Sequence, residues 1–311
     1  MSNPGPDAET IGGLLRRARE QLRAAGIEDP EIEAELLLRQ ALRGDSAELP
    51  SKGWLLQRLG DGASASSRDA LAALLARRLH HEPSAYITGM REFWGLEFEV
   101  TPDVLIPRPE TELLVEKAIE CAHSPRTPLS SQGEGTGVRT APSALRLVDV
   151  GTGSGAVAVA LAKALPAATV IATDASRGAL AVARRNATRH GVEPRISFRH
   201  GDLLLPLDCY VDFIVANLPY VPEADWRGLE PEVKDHEPSL ALVGGEDGLD
   251  LIRALLHQAP RYLRPGGAIC LEFGAGQENG VIDLARQLVP GAKIEVAPDF
   301  AGIPRVLIVR V

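Results

Sequence analysis

The stretch Val148-Asp149-Val150-Gly151-Thr152-Gly153-Ser154-Gly155 decides the fold of this chain. An apolar run over 145–150 ends in a cluster of glycines and gives way to a helical pattern over 156–165. Glycines placed after a strand let the backbone approach a bound ligand, at the carboxyl edge of a parallel sheet where α/β proteins hold their cofactors. Gly151-x-Gly153-x-x-Ala156 also satisfies the dinucleotide fingerprint with its final Ala variant, so the loop alone does not choose between cofactors.

Outward from this loop, strand-like runs recur at 169–173, 196–200, 213–216 and 268–273, with helical runs between them such as 177–190. Two further apolar runs, 293–296 and 305–311, close the chain as a hairpin-like pair. Strands alternating with helices predict a mostly parallel, seven-stranded sheet covered on both faces. Towards the N-terminus the period is helical. Leu14, Leu15, Ala18 and Leu22 recur at three- and four-residue steps, and Glu33, Leu36, Leu37, Leu38 and Leu42 follow the helix-start signal Asp29-Pro30. A run over 70–79 follows Ser66-Ser67 as candidate caps, and a small helical bundle is the simplest reading. Between the two regions, 92–100 alternates with period two, and Pro102-Asp103 interrupts it before Val104-Leu105-Ile106, a hairpin signature. A helix is predicted over 110–122, and 123–143 is rich in Ser, Gly, Thr and Pro with few apolar residues.

A length of 311 residues suggests two domains. The net charge of -9, with no Lys/Arg cluster beyond short helical pairs, argues against free nucleic acid as the main partner. Cys121, Cys209 and Cys270 lack metal-ligand or disulfide spacing and read as reduced thiols of an intracellular protein. Residues 1–10 lack a signal peptide's apolar stretch, and no apolar run reaches the roughly 18 residues of a membrane span, so a cytoplasmic location is expected. His80, His81, His190, His200 and His257 have no carboxylate or Cys partners at metal spacing, and Ser154 lies in no nucleophile-elbow pattern.

Asp149 tilts the choice of cofactor. Two residues ahead of the first glycine, its carboxylate can help neutralise the cationic methionine end of S-adenosylmethionine, whereas it would repel a pyrophosphate. Asp174 ends the next strand roughly twenty positions on, where an acid accepts hydrogen bonds from ribose hydroxyls; its plainer alternative is an N-cap for the Arg177 helix, with Ser176 able to cap instead. Asp202 could accept from an adenine amine and Leu203 pack on the ring, although a solvated loop acid is equally natural for Asp202.

The second deciding motif is Asn217-Leu218-Pro219-Tyr220, after the fourth predicted strand. An amide nitrogen is a poor nucleophile because its lone pair is shared with the carbonyl. A site that methylates it must hold the planar NH2 group and support charge developing on nitrogen. The Asn217 side-chain oxygen and the Leu218 carbonyl are acceptors suited to that grip, Pro219 stiffens the turn, and Tyr220 supplies a wall. In isolation the same tetrapeptide reads equally as a β-turn. The layout that follows is a small helical domain over 1–85 joined by a β-hairpin over 86–106. A class I, Rossmann-like, S-adenosylmethionine-dependent methyltransferase domain completes it over 107–311, with a flexible insertion at 122–144.

With these residues in place the sequence resembles the HemK/PrmC-type glutamine methyltransferases that modify peptide chain release factors. The resemblance covers nearly the whole chain and is carried by Pro83-x-x-Tyr86-Ile87-x-Gly89 and Glu92-Phe93-x-Gly95-Leu96. Its most specific stretches are Ile106-Pro107-Arg108-Pro109-Glu110-Thr111-Glu112 and Glu237-Pro238-x-Leu240-Ala241-Leu242-x-Gly244-Gly245-x-Asp247-Gly248-Leu249. It implies a cofactor site of Asp149, Gly151, Thr152, Gly153, Ser154, Gly155, Asp174, Asp202, Leu203 and Asn217. It implies a substrate site of Asn217, Leu218, Pro219, Tyr220 and Leu105, with Asn217, Pro219 and Tyr220 catalytic and no metal. The substrate would be the glutamine of a Gly-Gly-Gln tripeptide, methylated by direct in-line transfer. The family usually carries Asn-Pro-Pro-Tyr; Leu218 keeps the backbone carbonyl and bears on loop preorganisation. Methylation of an adenine exocyclic amine, an NAD-dependent dehydrogenase and a non-catalytic adaptor are the rival readings.

Overall fold

The computed structural model describes residues 9–44, 46, 49–124 and 144–311, so nearly all of the expected insertion lies outside the described residues. Two compact units form, one of residues 1–89 with 231–236, the other of 90–230 with 237–311.

The first unit is helical. In α1 (Ile11–Ala24) the Thr10 hydroxyl accepts from Gly13 N, and Leu14, Leu15, Ala18 and Leu22 form the buried stripe. Then come α2 (Pro30–Arg43), with Pro at its start, α3 (Lys52–Gln57), α4 (Ala65–Leu79) and α5 (Ser84–Thr88). The cap of α4 is Ser64 rather than Ser66 or Ser67, because the Ser67 backbone N–H is the orphan donor that the Ser64 hydroxyl satisfies. Arg78 of α4 is buried, its side chain 3% exposed, and donates to Glu33 at 3.1 Å and to Glu232 at 2.6 Å. That buried cation explains why 231–236, expected within the 107–311 domain, joins the helical unit: Glu232 is its second carboxylate.

The second unit opens with the hairpin β1 (Met90–Phe93) and β2 (Leu96–Glu99). Its turn is Trp94-Gly95, with φ of 55° and 67°, the left-handed pair of a tight two-residue loop. Residues 104–106 form no strand, so the interruption at Pro102-Asp103 marks the end of the hairpin and not its turn. Phe93 and Phe98 are fully buried with Leu114 and Val115 of α6 (Thr111–His123), and Asn186 ties down both backbone groups of Glu99. The hairpin is therefore integral to the second core. The expected 86–106 connector is shared out, with α5 closing the first unit.

The sheet comprises β3 (Arg146–Val150), β4 (Thr169–Asp174), β5 (Ile196–His200), β6 (Val211–Asn217), β7 (Leu263–Glu272), β8 (Lys293–Pro298) and β9 (Pro304–Arg310). They lie in the order β5-β4-β3-β6-β7-β9-β8, all parallel except β9, which runs antiparallel to both neighbours. Every residue from Val211 to Ala216 is buried, as a central strand covered on both faces requires. Phe213 and Val215 pack on one face and Ile214 and Ala216 on the other. Helices α7 (Ala156–Ala164), α8 (Arg177–Arg189), α10 (Asp250–Gln258) and α11 (Glu278–Leu288) accompany the sheet, and the short α9 (Pro231–Lys234) lies in the first unit. The chain winds outward from β3 through β4 to β5, then returns to place β6 on the other side of β3. The carboxyl ends of β3 and β6 thus flank the switch point where such sheets bind ligands.

Candidate active site

A cleft opens at that switch point, lined by Gly151 and Gly153 after β3, Asp174 at the end of β4, and Asp202 and Leu203 after β5. Asn217 at the end of β6, Leu218 and Pro219 after it, and Leu105 complete the expected lining residues. The glycine loop is anchored from below, Gly151 N and Thr152 N both donating to the Thr173 carbonyl. Gly155 has φ 81°, and a Cβ there would lie 2.9 Å from Ala183 Cβ, so its role is close packing of α7 on α8. Gly151 has φ 71°, and a Cβ there would lie 3.1 Å from Leu218 Cδ2.

Asp149 departs from its expected place at the cationic end of a cofactor. It is 1% exposed, does not line the cleft, and accepts at Oδ2 from the Thr152 hydroxyl at 2.6 Å and from Ala158 N at 3.1 Å. As the fourth of five residues in β3 it lies beneath the loop and staples the loop to α7. Burial raises its carboxyl to about 7, with the nearby Asp174 charge adding to the rise and the two hydrogen bonds opposing it. Thr152, Ser154 and Gly155 likewise shape the loop from behind and do not line the cleft. Thr152 holds Asp149, and the Ser154 carbonyl accepts from Asn186 Nδ2.

Asp174 does face the cleft. Its Oδ2 accepts from Gly153 N at 2.9 Å and its Oδ1 from Ser176 N at 2.8 Å, joining the glycine loop to the start of α8. Ser176 is the cap of α8, its hydroxyl accepting from Ala179 N at 3.1 Å, which leaves Asp174 available to a ligand. Burial raises the Asp174 carboxyl, against the pull of those backbone N–H groups and of His200. Asp202 is exposed at the cleft, and Leu203 is buried there with φ 45°.

Asn217 is the last residue of β6, and its Nδ2 donates to Thr111 Oγ1 at 2.9 Å. Leu218 is 3% exposed, its side chain resting on Gly151. Backbone contacts, and not proline, hold the following residues. A Cβ on Gly244 would lie 2.4 Å from the Pro219 carbonyl and one on Gly248 2.2 Å from the Tyr220 carbonyl. Val221 N donates to the Leu242 carbonyl, Gly244 N donates to the Val221 carbonyl, and Gln277 Nε2 donates to the Tyr220 carbonyl. The glycine-rich stretch 244–248 is thus a backbone cradle for 219–221. Tyr220 is not among the cleft-lining residues; burial, with the Glu272 charge adding to it, pushes its hydroxyl to about 12, so it is a neutral phenol.

Glu237 accepts from Ile106 N at 3.1 Å and pairs with Arg108, joining the two long motif stretches. Several residues that the sequence reading did not assign to the site line or support the cleft. Asp103, Pro238, Leu240 and Ala241 line the cleft, with Leu240 65% exposed at its wall. Thr111 holds Asn217, and Glu272 ends β7 directly opposite Asn217 in the parallel register. Asp103 stood beside a proline and Glu272 inside an apolar run, with only their polarity as a signal.

A Rossmann-like sheet of this order, with an open glycine-cradled cleft and a carboxylate at the end of its second strand, defines an S-adenosylmethionine-dependent methyltransferase. Residues 13–89 match the PrmC N-terminal domain and residues 147–236 a methyltransferase domain. The chain is 41% identical over 280 residues to the release factor glutamine methyltransferase of Geobacter sulfurreducens, covering 90% of this chain and 89% of that one. It is 40% identical over 298 residues to that of Moorella thermoacetica, covering 95% and 96%. The chain belongs to the release factor glutamine methyltransferase family. Among solved structures, the hMettl16 catalytic domain, in complex with MAT2A 3'UTR hairpin 6, shares the fold with a TM-score of 0.54 at 15% identity, over 76% of this chain and 81% of that one. No helix among the described residues is long and apolar enough to cross a membrane.

Proposed function

We propose that this protein methylates the side-chain amide nitrogen of the glutamine in the Gly-Gly-Gln motif of peptide chain release factors, in the cytoplasm, with the residues that line the cleft. The observation that carries this reading is the state of the Asn217 amide. Its nitrogen is committed to Thr111, so the group it offers a ligand in the cleft is the carbonyl oxygen. An acceptor there suits a substrate NH2, whose two hydrogens need partners while its nitrogen reacts.

The cleft fits S-adenosylmethionine. Gly151 and Gly153 admit close approach of a ligand to the backbone; Asp174 would accept from ribose hydroxyls, and Asp202 and Leu203 would meet an adenine. The Asp174 carboxyl at the cleft disfavours a pyrophosphate and favours a cation, while the buried Asp149 acts only by holding the loop to the helix that follows it. When bound, the cofactor supplies an electrophilic methyl group on a sulfonium. The contribution of the chain is to hold and aim the amide: Asn217 Oδ1 and the Leu218 carbonyl accept from its hydrogens, and Pro219 and Leu105 bound it. Amide methylation on nitrogen makes that nitrogen strongly acidic, so the proton leaves to water and the site needs no dedicated base.

Incubation with methyl-labelled S-adenosylmethionine and either purified release factor or DNA tests this reading. Label in the Gly-Gly-Gln peptide is the expected result. Label in DNA alone would replace it with adenine methylation.

A further inference from the structure

We propose that Thr111 and Glu272 are positioning residues that fix which way round the Asn217 amide sits, so that its oxygen and not its nitrogen is offered to the cleft. The inference rests on the amide-site reading above and deepens it. The two ends of an asparagine amide have nearly the same shape, and turning it over exchanges an acceptor for a donor. Only the acceptor orientation suits a substrate NH2. Some feature of the protein must therefore select it.

Thr111 alone cannot. Its Oγ1 accepts from Asn217 Nδ2 at 2.9 Å, but a hydroxyl could equally donate its one hydrogen to an asparagine oxygen. That alternative would turn the NH2 of Asn217 towards the substrate, donor against donor.

Glu272 removes the ambiguity. It is the register partner of Asn217 across β6 and β7 and is only 2% exposed. Its Oε2 is buried without a hydrogen-bond partner among the described residues, an acceptor waiting for a donor. The Thr111 hydroxyl lies within reach of this carboxyl and stabilises its charged form, as does the Asn217 side chain. Once the single hydrogen of Thr111 is given to Glu272 in its ionised form, only oxygen lone pairs remain to face Asn217. The Asn217 NH2 must then point inward and its oxygen outward. The result is a directional chain, Asn217 N–H to Thr111 oxygen and Thr111 O–H to Glu272, in which each bond strengthens the next. Packing gives no reason for a carboxyl at this point, since the sheet would accept any apolar side chain there at less desolvation cost.

Steady-state kinetics on release factor tests the proposal. Thr111→Val keeps the shape and removes the acceptor, and its kcat is expected to fall about ten- to a hundredfold. The KM for release factor and the cofactor Kd should stay within about threefold, and Thr111→Ser should recover most of the rate. An unchanged kcat for Thr111→Val overturns the proposal. A second pair of variants reverses the chain. Asn217→Asp retains an oxygen but sets two carboxyls around Thr111, and kcat should fall about a hundredfold or more. Adding Glu272→Gln supplies a donor at the other end, so that Gln donates to Thr111 and Thr111 to Asp, and at least about tenfold of the loss should return. A double variant no faster than Asn217→Asp also overturns the proposal. If Asn217→Ala itself keeps the wild-type rate, it is the amide-site reading that fails. If Asn217→Ala is inactive while Thr111→Val is normal, only the positioning role fails.

Discussion

Arg108 and Glu237, 129 residues apart in sequence, form an ion pair in which the carboxylate side chain is 1% exposed and the guanidinium 33%. The same carboxylate accepts from the backbone of Ile106, so one buried acid fixes the segment that carries Val104 and Leu105 to the segment that carries Pro238 and Leu240. Two stretches of the cleft lining are joined through it. Glu237→Ala leaves the buried Ile106 N–H without an acceptor, and urea unfolding should show a loss of about 1–3 kcal/mol. Glu237→Gln, which keeps an oxygen for Ile106, should lose less. Equal stability of both variants and the wild type would show that the pair contributes nothing.

Asp174 accepts two backbone N–H bonds while lining the cleft, so it shapes the glycine loop from a position that faces the cleft. Asp174→Ala should weaken S-adenosylmethionine binding by about 1–3 kcal/mol, read by calorimetry. Unchanged affinity would remove Asp174 from the cofactor site. Tight NAD binding by the wild type would revive the dehydrogenase reading.

Much of this arrangement was legible in the sequence. The glycine loop, the strand and helix alternation and the closing strand pair could be read because each is local and periodic. Asn217-Leu218-Pro219-Tyr220 could be placed at a strand end for the same reason. The parts that escaped depend on register. Glu272 sits inside an apolar run, and its position opposite Asn217 exists only once β6 and β7 are paired. Thr111 lies 106 residues from its partner. Asp149 was expected at the mouth of the site because it precedes the glycines, yet it points beneath the loop to hold Thr152 and Ala158. Residues 231–236 change units for the sake of one buried arginine, which no local pattern announces.

Burial raises the Glu272 carboxyl to about 7, with Glu110 adding to the rise and Thr111, Arg305 and Asn217 opposing it. A carboxyl whose folded pKa lies above its unfolded value binds more protons in the folded state between the two. Stability therefore falls as pH rises through that window, from about pH 4.5 to about pH 7, and is level above it. Asp149, also raised to about 7, acts in the same direction. Glu272→Gln should remove its share, so that the variant gains on the wild type by something on the order of 2 kcal/mol between about pH 5 and about pH 8. Parallel Tm curves for the two proteins across that range would show that Glu272 does not titrate there.

The central claim is that Asn217 presents an acceptor to a substrate amide. Its most direct test is single-turnover methyl transfer to release factor by wild type and Asn217→Ala, with cofactor affinity measured in parallel. The variant is expected to bind S-adenosylmethionine within about threefold of wild type and to transfer the methyl group about a hundredfold more slowly, or slower still. A release factor with Gln→Glu in its Gly-Gly-Gln motif, which sets oxygen against oxygen, should be rejected by roughly ten-thousandfold. Transfer by Asn217→Ala at a near wild-type rate would contradict the assignment of the active site.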